Sequence, residues 1–131
     1  MPHSRTALII DDDEGVRLFV QAVLEGEGWN CIEARNGEEG IDLALAREPS
    51  LILLDVQMPG LDGFETYQRL RNSPFTESIP IVMLTGINAE NGVQYGSEDF
   101  EAAFDLPAPE GFLDKPVDAR LLLDCVMGVT G

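Results

Sequence analysis

Lysine, histidine and cysteine are all scarce in this chain, and each shortage closes off a class of function. Of 131 residues 24 are acidic and 8 basic, which gives a formal charge of −16 with the one histidine neutral. An unopposed negative surface repels phosphate at every useful ionic strength, so direct nucleic-acid binding is excluded. Cys31 and Cys125 show no paired spacing and sit in apolar surroundings. They read as reduced core thiols of a cytosolic chain, not as a disulfide framework. No apolar stretch approaches the roughly 20 residues of a membrane helix, and Met1 to Thr6 runs within a few residues into a short strand-like segment. Neither a membrane span nor a signal peptide is expected, and the expected location is the cytoplasm. What is present is apolar material: 44% of residues are hydrophobic and fall in dense, separated runs, which a disordered acidic tail lacks. The length suits one domain, residues 1–131, around one core.

The apolar runs alternate between two periods. Ala7-Leu8-Ile9-Ile10, Leu51-Ile52-Leu53-Leu54 and Ile81-Val82-Met83-Leu84 are short and continuous, the pattern of strands buried on both faces of a parallel sheet. Trp29 to Ala34 and Gly111 to Asp114 are weaker strand segments. Between them Val16, Phe19, Val20, Val23 and Leu24 form one apolar stripe at helical spacing, and Ile41, Ala44 and Leu45 another behind Asn36 and Glu39, which have capping-box spacing. Asp62 and Glu65 repeat that spacing before Phe64, Tyr67 and Leu70, and the last stripe is Ala119, Leu122, Leu123 and Val126 after Pro116 and Asp118. Strand followed by helix, repeated, predicts parallel strands joined by right-handed crossovers, an α/β sandwich with helices on both faces. The rhythm breaks from Ile87 to Glu110, where Gly92, Gly96, Pro107 and Pro109 interrupt the chain. At most a short or distorted helix over 91–104 is expected there, and otherwise an irregular segment.

Ligands of an open α/β sheet bind outside the carboxyl ends of its strands. The residues just past the buried runs are Asp11 and Asp12, Asp55, Thr85 and Lys115. Lys115 is the only lysine in the chain, and the only basic residue between Arg71 and Arg120. Three crowded carboxylates cannot all stay ionised unaided, since two charges about 4 Å apart repel by roughly 4 kcal/mol at an effective dielectric of about 20. Either a pKa rises or a divalent cation binds. An all-oxygen donor set suits Mg²⁺, which takes one or two carboxylates with phosphate oxygens and water, and does not suit zinc. Helix capping is the plain alternative for Asp11 and Asp12, and it is sufficient for Asp62.

The chain resembles the receiver domain of two-component response regulators. The resemblance runs from Leu8 to about Val126, on Ile9-Ile10-Asp11-Asp12-Asp13, Leu53-Leu54-Asp55-Val56-Gln57-Met58-Pro59-Gly60-Leu61-Asp62-Gly63, Met83-Leu84-Thr85-Gly86 and Phe112-Leu113-Asp114-Lys115-Pro116. It implies a flavodoxin-like doubly wound sheet of five parallel strands in the order 2-1-3-4-5. It implies that Asp55 is the phosphoacceptor, and that Mg²⁺ is held by Asp11, Asp12, Asp55 and the backbone carbonyl of Gln57. It implies that Thr85 bonds the phosphoryl group, that Lys115 pairs first with the Asp55 carboxylate and then with that group, and that Thr85 and Phe112 form the conformational switch. Gln57, Gly86 and Ile87 lie where the family tunes the lifetime of the acyl phosphate. The implied activity is self-catalysed phosphoryl transfer to Asp55 with slow autodephosphorylation, without an enzyme's turnover. The implied partners are a sensor histidine kinase or histidine phosphotransfer protein upstream, and an output domain, a protein target or a second copy of the chain downstream.

Thr85 and Lys115 stand thirty positions apart, longer than receivers usually have, and the extra chain lies in the irregular segment. In the family this region helps form the face that dimerises or docks an output domain. Here it carries Glu98, Asp99, Glu101 and Asp105 with no compensating base, which argues against the usual charge-laced symmetric dimer. The expectation for residues 87–110 is a specialised partner or self-association surface. A stand-alone regulator and a receiver of a longer protein are both open. Two rivals remain: a haloacid-dehalogenase-type phosphatase built on Asp11, Asp13, Thr85 and Lys115, and a receiver-like interaction module that is never phosphorylated. The first lacks the glycine expected after Asp13 and a later acidic pair, and leaves Asp55 without a role. The second leaves five filled site positions without a use.

Overall fold

A computed structural model describes residues 5–57, 63–86 and 109–130. Five strands, β1 (Thr6–Ile10), β2 (Asn30–Ala34), β3 (Leu51–Asp55), β4 (Ile81–Gly86) and β5 (Gly111–Lys115), form one sheet. Its order is β2-β1-β3-β4-β5 and every neighbouring pair is parallel. The four helices of the described residues are α1 (Glu14–Glu25), α2 (Gly37–Arg47), α3 (Gly63–Arg71) and α4 (Ala119–Thr130). The expected doubly wound flavodoxin-like architecture is therefore the observed one.

Successive residues of a strand point to opposite faces, so each apolar run feeds two cores. Leu8, Ile10, Ile52, Leu54, Ile81 and Met83 join Ala44, Tyr67 and Leu70 on the face covered by α2 and α3. Ala7, Ile9, Leu51, Leu53, Val82 and Leu84 join Val20, Leu24, Leu122 and Val126 under α1 and α4. This double use is why the central strands read as unbroken apolar runs: all five residues of β3 are buried. The outer strands β2 and β5 alternate or mix exposure, which weakened their signal in the sequence.

The helix starts are set by side-chain caps. Asp13 Oδ1 accepts the backbone N–H groups of Gly15 and Val16 at 2.8 and 3.3 Å, so neither Asp11 nor Asp12 is consumed in capping α1. Asn36 caps α2 by accepting the N–H of Glu39 at 2.8 Å, and Glu39 reaches back to the N–H of Arg35, one residue beyond the predicted capping-box partner. Asp118 accepts the N–H of Leu121 at the start of α4. On α1 the stripe is narrower than its periodicity implies: Val20 and Leu24 are buried, whereas Phe19 is 41% exposed. Cys31 and Cys125 are half-buried free thiols. Burial, then the charges of Glu25 and Glu33, push the Cys31 thiol up to about 11, so it is inert at neutral pH.

The expectations for Asp62, for the helix of residues 91–104 and, all but its last two residues, for the surface of residues 87–110 lie outside the described residues. Two members of the acidic stretch inside them have partners. The Glu110 carboxylate pairs with Arg71 and accepts the N–H of Ile81, and Asp114 accepts the Thr85 hydroxyl. No helix among the described residues is long and apolar enough to cross a membrane.

Candidate functional site

Three parallel strands end side by side at the carboxyl edge, and each carries a polar residue within one position of its end. Asp11 follows β1, Asp55 closes β3, and Thr85 is the penultimate residue of β4. All three are buried, at 0%, 2% and 6% exposure, in a part of the fold where polar side chains persist only with partners. Lys115 closes β5 and reaches back across the edge. Its Nζ lies 2.8 Å from Asp11 Oδ2 and 3.1 Å from Asp55 Oδ1. Asp12 stays exposed, yet one carboxylate oxygen from each of Asp11, Asp12 and Asp55 falls within 4.8 Å of the others.

Strand parity explains this division of side chains. Register pairs Leu84 with Leu113 and Gly86 with Lys115, so Lys115 shares the parity of Leu113 and the α1/α4 face. Thr85 pairs with Asp114 and Met83 with Phe112, on the α2/α3 face. Phe112 is half-buried and packs on that core. The Thr85 hydroxyl donates to Asp114 Oδ1 at 2.9 Å and more weakly to Leu113 O at 3.3 Å, so it is engaged toward β5.

The loop that carries the first aspartates is held from three sides. Asp11 N–H donates to Ala34 O, Asp11 Oδ1 accepts the N–H of Asp13 at 2.9 Å, and Arg17 Nη1 donates to Asp11 O at 2.7 Å. Arg17, in the first turn of α1, is itself buried and pairs through Nε with Glu33 at 3.1 Å. No feature of the sequence singled it out, because one arginine beside an apolar stripe looks like surface. On the other side, Gln57 N–H donates to Asp55 Oδ1 at 3.2 Å. Gly63 is packed so closely that a β-carbon there would lie 2.2 Å from Asp55 O and 2.6 Å from Val56 Cα. Gly86 ends β4 opposite Lys115, and Ile87 lies outside the described residues.

Electrostatics follow from burial. Burial and the neighbouring Asp11 charge raise the Asp55 pKa to about 7, against the pull of Lys115 and the Gln57 N–H. Burial works against the Lys115 ammonium, but the Asp11 and Asp55 carboxylates overcome it and hold its pKa above the ordinary lysine value. When all three aspartates are ionised, one ammonium leaves two negative charges uncompensated. Asp11 Oδ2 is fully buried, and the Lys115 ammonium at 2.8 Å is the partner it has. A hard divalent cation answers that excess of negative charge, and an oxygen-only donor set is what Mg²⁺ takes, so these residues fit that ion.

Residues 7–127 match the family model described as the response regulator receiver domain. The chain is 37% identical over 100 residues to the phosphate regulon transcriptional regulatory protein PhoB of Pseudomonas aeruginosa, covering 73% of this chain and 44% of that protein. It is 33% identical over 122 residues to protein PilH of the same organism, covering 93% of this chain and 94% of PilH. The chain thus spans less than half the length of the first of these relatives. Among solved structures it superposes on the chemotaxis protein CheY4 of Vibrio cholerae with a TM-score of 0.82 at 26% identity, over 97% of this chain and 99% of the other.

Proposed function

The chain belongs to the response regulator receiver domain family, the phosphorylation-activated switches of two-component signalling, and from that premise we propose that Asp55 is its phosphoryl acceptor and Asp11, Asp12, Thr85 and Lys115 its supporting site. One observation carries the reading. A single ammonium, Lys115, is held between two buried strand-end carboxylates, Asp11 and Asp55, at the edge where an α/β sheet receives its ligand.

The carboxylate oxygen of Asp55 attacks phosphorus of a phosphohistidine in line with the leaving nitrogen. The phosphorus–nitrogen bond breaks, the imidazole keeps the electron pair and takes a proton, and an acyl phosphate is left on Asp55. Phosphoryl transfer passes through a loose transition state, so the protein's part is to position the groups and neutralise charge. Lys115 does both: it orients the attacking carboxylate before transfer and pairs with the phosphoryl oxygens afterward. Mg²⁺ held by Asp11, Asp12, Asp55 and the backbone carbonyl of Gln57 would supply the remaining neutralisation. Thr85, one strand away, donates its hydroxyl to the new anion, and Phe112 on the same face responds. Such a switch needs two states separated by only a few kcal/mol, so that one added anion biases them.

The donor is a sensor histidine kinase or histidine phosphotransfer protein, and the setting is the cytoplasm. Gln57, Gly86 and Ile87 occupy the positions at which the family tunes the lifetime of the acyl phosphate. The chain performs one transfer to itself and a slow hydrolysis, with no turnover of an external substrate. Whether an output domain, a protein target or a second copy reads the change is decided outside this site, and the acidity of the chain excludes DNA as a direct ligand of this domain.

Mass analysis after incubation with acetyl phosphate and Mg²⁺ tests the reading. One phosphoryl group is expected on the wild type and none on Asp55→Asn. Equal modification of both proteins overturns the acceptor assignment. Continuous release of product from a generic phosphate ester would establish a phosphatase instead.

A further inference from the structure

Asp114 has no part in the reading above, yet it is the best-placed partner of the one hydroxyl at the site. β4 lies between β3, which carries Asp55, and β5. The Thr85 hydroxyl is bonded to β5, through Asp114 Oδ1 at 2.9 Å and Leu113 O at 3.3 Å. The hydroxyl carries a single proton. To donate it to a phosphoryl oxygen on Asp55, Thr85 must let go of β5. Threonine is stiff at χ1 and moves between discrete rotamers, so the hydroxyl has separate engaged and released positions, with no continuum between them.

Of the two acceptors on β5, the carboxylate is the stronger. A hydrogen bond to an ionised oxygen is roughly twice as strong as a neutral one, and 3.3 Å is beyond the usual range for an O–H donor. The register that places Asp114 directly opposite Thr85 makes the bond a property of the sheet, since both side chains leave neighbouring strands on the same face. We propose that Asp114 is a positioning residue that holds the Thr85 hydroxyl on β5 in the unmodified protein, competes with the phosphoryl group for its proton, and thereby sets the threshold of the switch. The proposal rests on Asp55 as acceptor and Thr85 as phosphoryl ligand.

The probe is beryllofluoride with Mg²⁺, a stable stand-in for the phosphoryl group, with bound fluoride followed by fluorine NMR. Asp114→Ala leaves only the weak carbonyl acceptor, and is expected to bind the probe on the order of tenfold more tightly than wild type. Asp114→Asn keeps an acceptor oxygen without the charge and is expected to fall between the two. The deciding arm is Thr85→Val, which has no hydroxyl: in that background Asp114→Ala is expected to change nothing. A gain of equal size with and without the hydroxyl means that Asp114 acts only by its charge near an anion, and overturns the proposal. So does an Asp114→Ala protein that binds the probe no better than wild type. Failure of the wild type itself to bind, or equal binding by Asp55→Asn, overturns the acceptor reading and this proposal with it.

Discussion

Lys115 Nζ lies 3.1 Å from Asp55 Oδ1, the same oxygen that accepts the Gln57 N–H at 3.2 Å. The carboxylate is thus clamped through one oxygen by a residue from the last strand and by its own loop. The Lys115 side chain keeps 22% exposure, so its pair with Asp55 is neither fully dry nor fully screened. Lys115→Ala would leave Asp11 and Asp55 buried side by side without a counter-ion. We expect a loss of about 2 kcal/mol in unfolding free energy at pH 8 without divalent ions, below the cost of breaking a fully buried pair. Urea unfolding measures it. The same variant is expected to bind Mg²⁺ at least as tightly as wild type, because a competing cation has gone, and to take up the phosphoryl group without the conformational response.

The raised pKa of Asp55 makes stability depend on pH in a defined direction. The group sits near 3.8 when unfolded and about 7 when folded, so between those values the folded state binds more protons. Its contribution is fully present below about 3.8 and is lost as pH rises through about 7. Without divalent ions, melting temperature is expected to include a component that falls from pH 5 to pH 8. Mg²⁺ binding should release a proton at pH 6, tighten as pH rises, and level off above about 7. Calorimetric Mg²⁺ titrations in two buffers of different ionisation enthalpy test the sign. An affinity that is flat from pH 5 to pH 8 would show that Asp55 is already ionised throughout.

Much of this site is legible in the sequence because a strand buried on both faces writes itself as a short apolar run. The residue after such a run lands on the binding edge, which is how Asp11, Asp55, Thr85 and Lys115 are found. What local pattern cannot carry is register. Asp114 counts as one more acid in a base-free stretch until β4 and β5 are aligned and Thr85 is seen opposite it. Glu110 looks the same until Arg71, thirty-nine positions away, reaches it. Arg17 and Phe19 show the limit of periodicity in the other direction. The stripe enrols Phe19, which stays 41% exposed, and passes over Arg17, which is 7% exposed and folded beneath the aspartate loop.

Gly63 provides a test of how tightly the loop after Asp55 is built. Its N–H donates to Val56 O, and an added β-carbon would meet backbone atoms of residues 55 and 56, which cannot rotate aside. Gly63→Ala is expected to cost about 3 kcal/mol through displaced backbone. Since the displaced atoms belong to the acceptor residue, phosphorylation by acetyl phosphate should slow as well. A variant with wild-type stability and rate would mean that α3 can shift away from the sheet.

Arg17→Ala should couple stability to the metal site. The guanidinium satisfies Asp11 O at 2.7 Å and pairs with Glu33, so truncation leaves a buried carbonyl and a carboxylate without their donor. About 2 kcal/mol of stability is expected to go. The Asp11–Asp13 loop loses its lower support, so Mg²⁺ affinity should fall at the same time. Preserved affinity in a destabilised protein would show that the Asp13 N–H and the β1–β2 ladder hold Asp11 by themselves.

Arg71→Leu supplies the contrast, because Arg71 is buried at the opposite edge of the sheet. It donates to Tyr67 Oη, Glu77 O and Ile79 O and pairs with Glu110, whose carboxylate also accepts the N–H of Ile81. Those bonds join the end of α3, the chain leading into β4 and the residue before β5, all at the amino ends of the strands. The loss should be about 3 kcal/mol, since several buried acceptors and one carboxylate lose a shared donor. Mg²⁺ affinity and the extent of Asp55 modification should stay at wild-type values wherever the protein is folded, because the partners of Arg71 and Glu110 among the described residues lie away from the carboxyl edge. A fall in Mg²⁺ affinity at a temperature where circular dichroism reports full folding would mean that the two edges are mechanically linked through β4 and β5, the strands that carry Thr85 and Lys115.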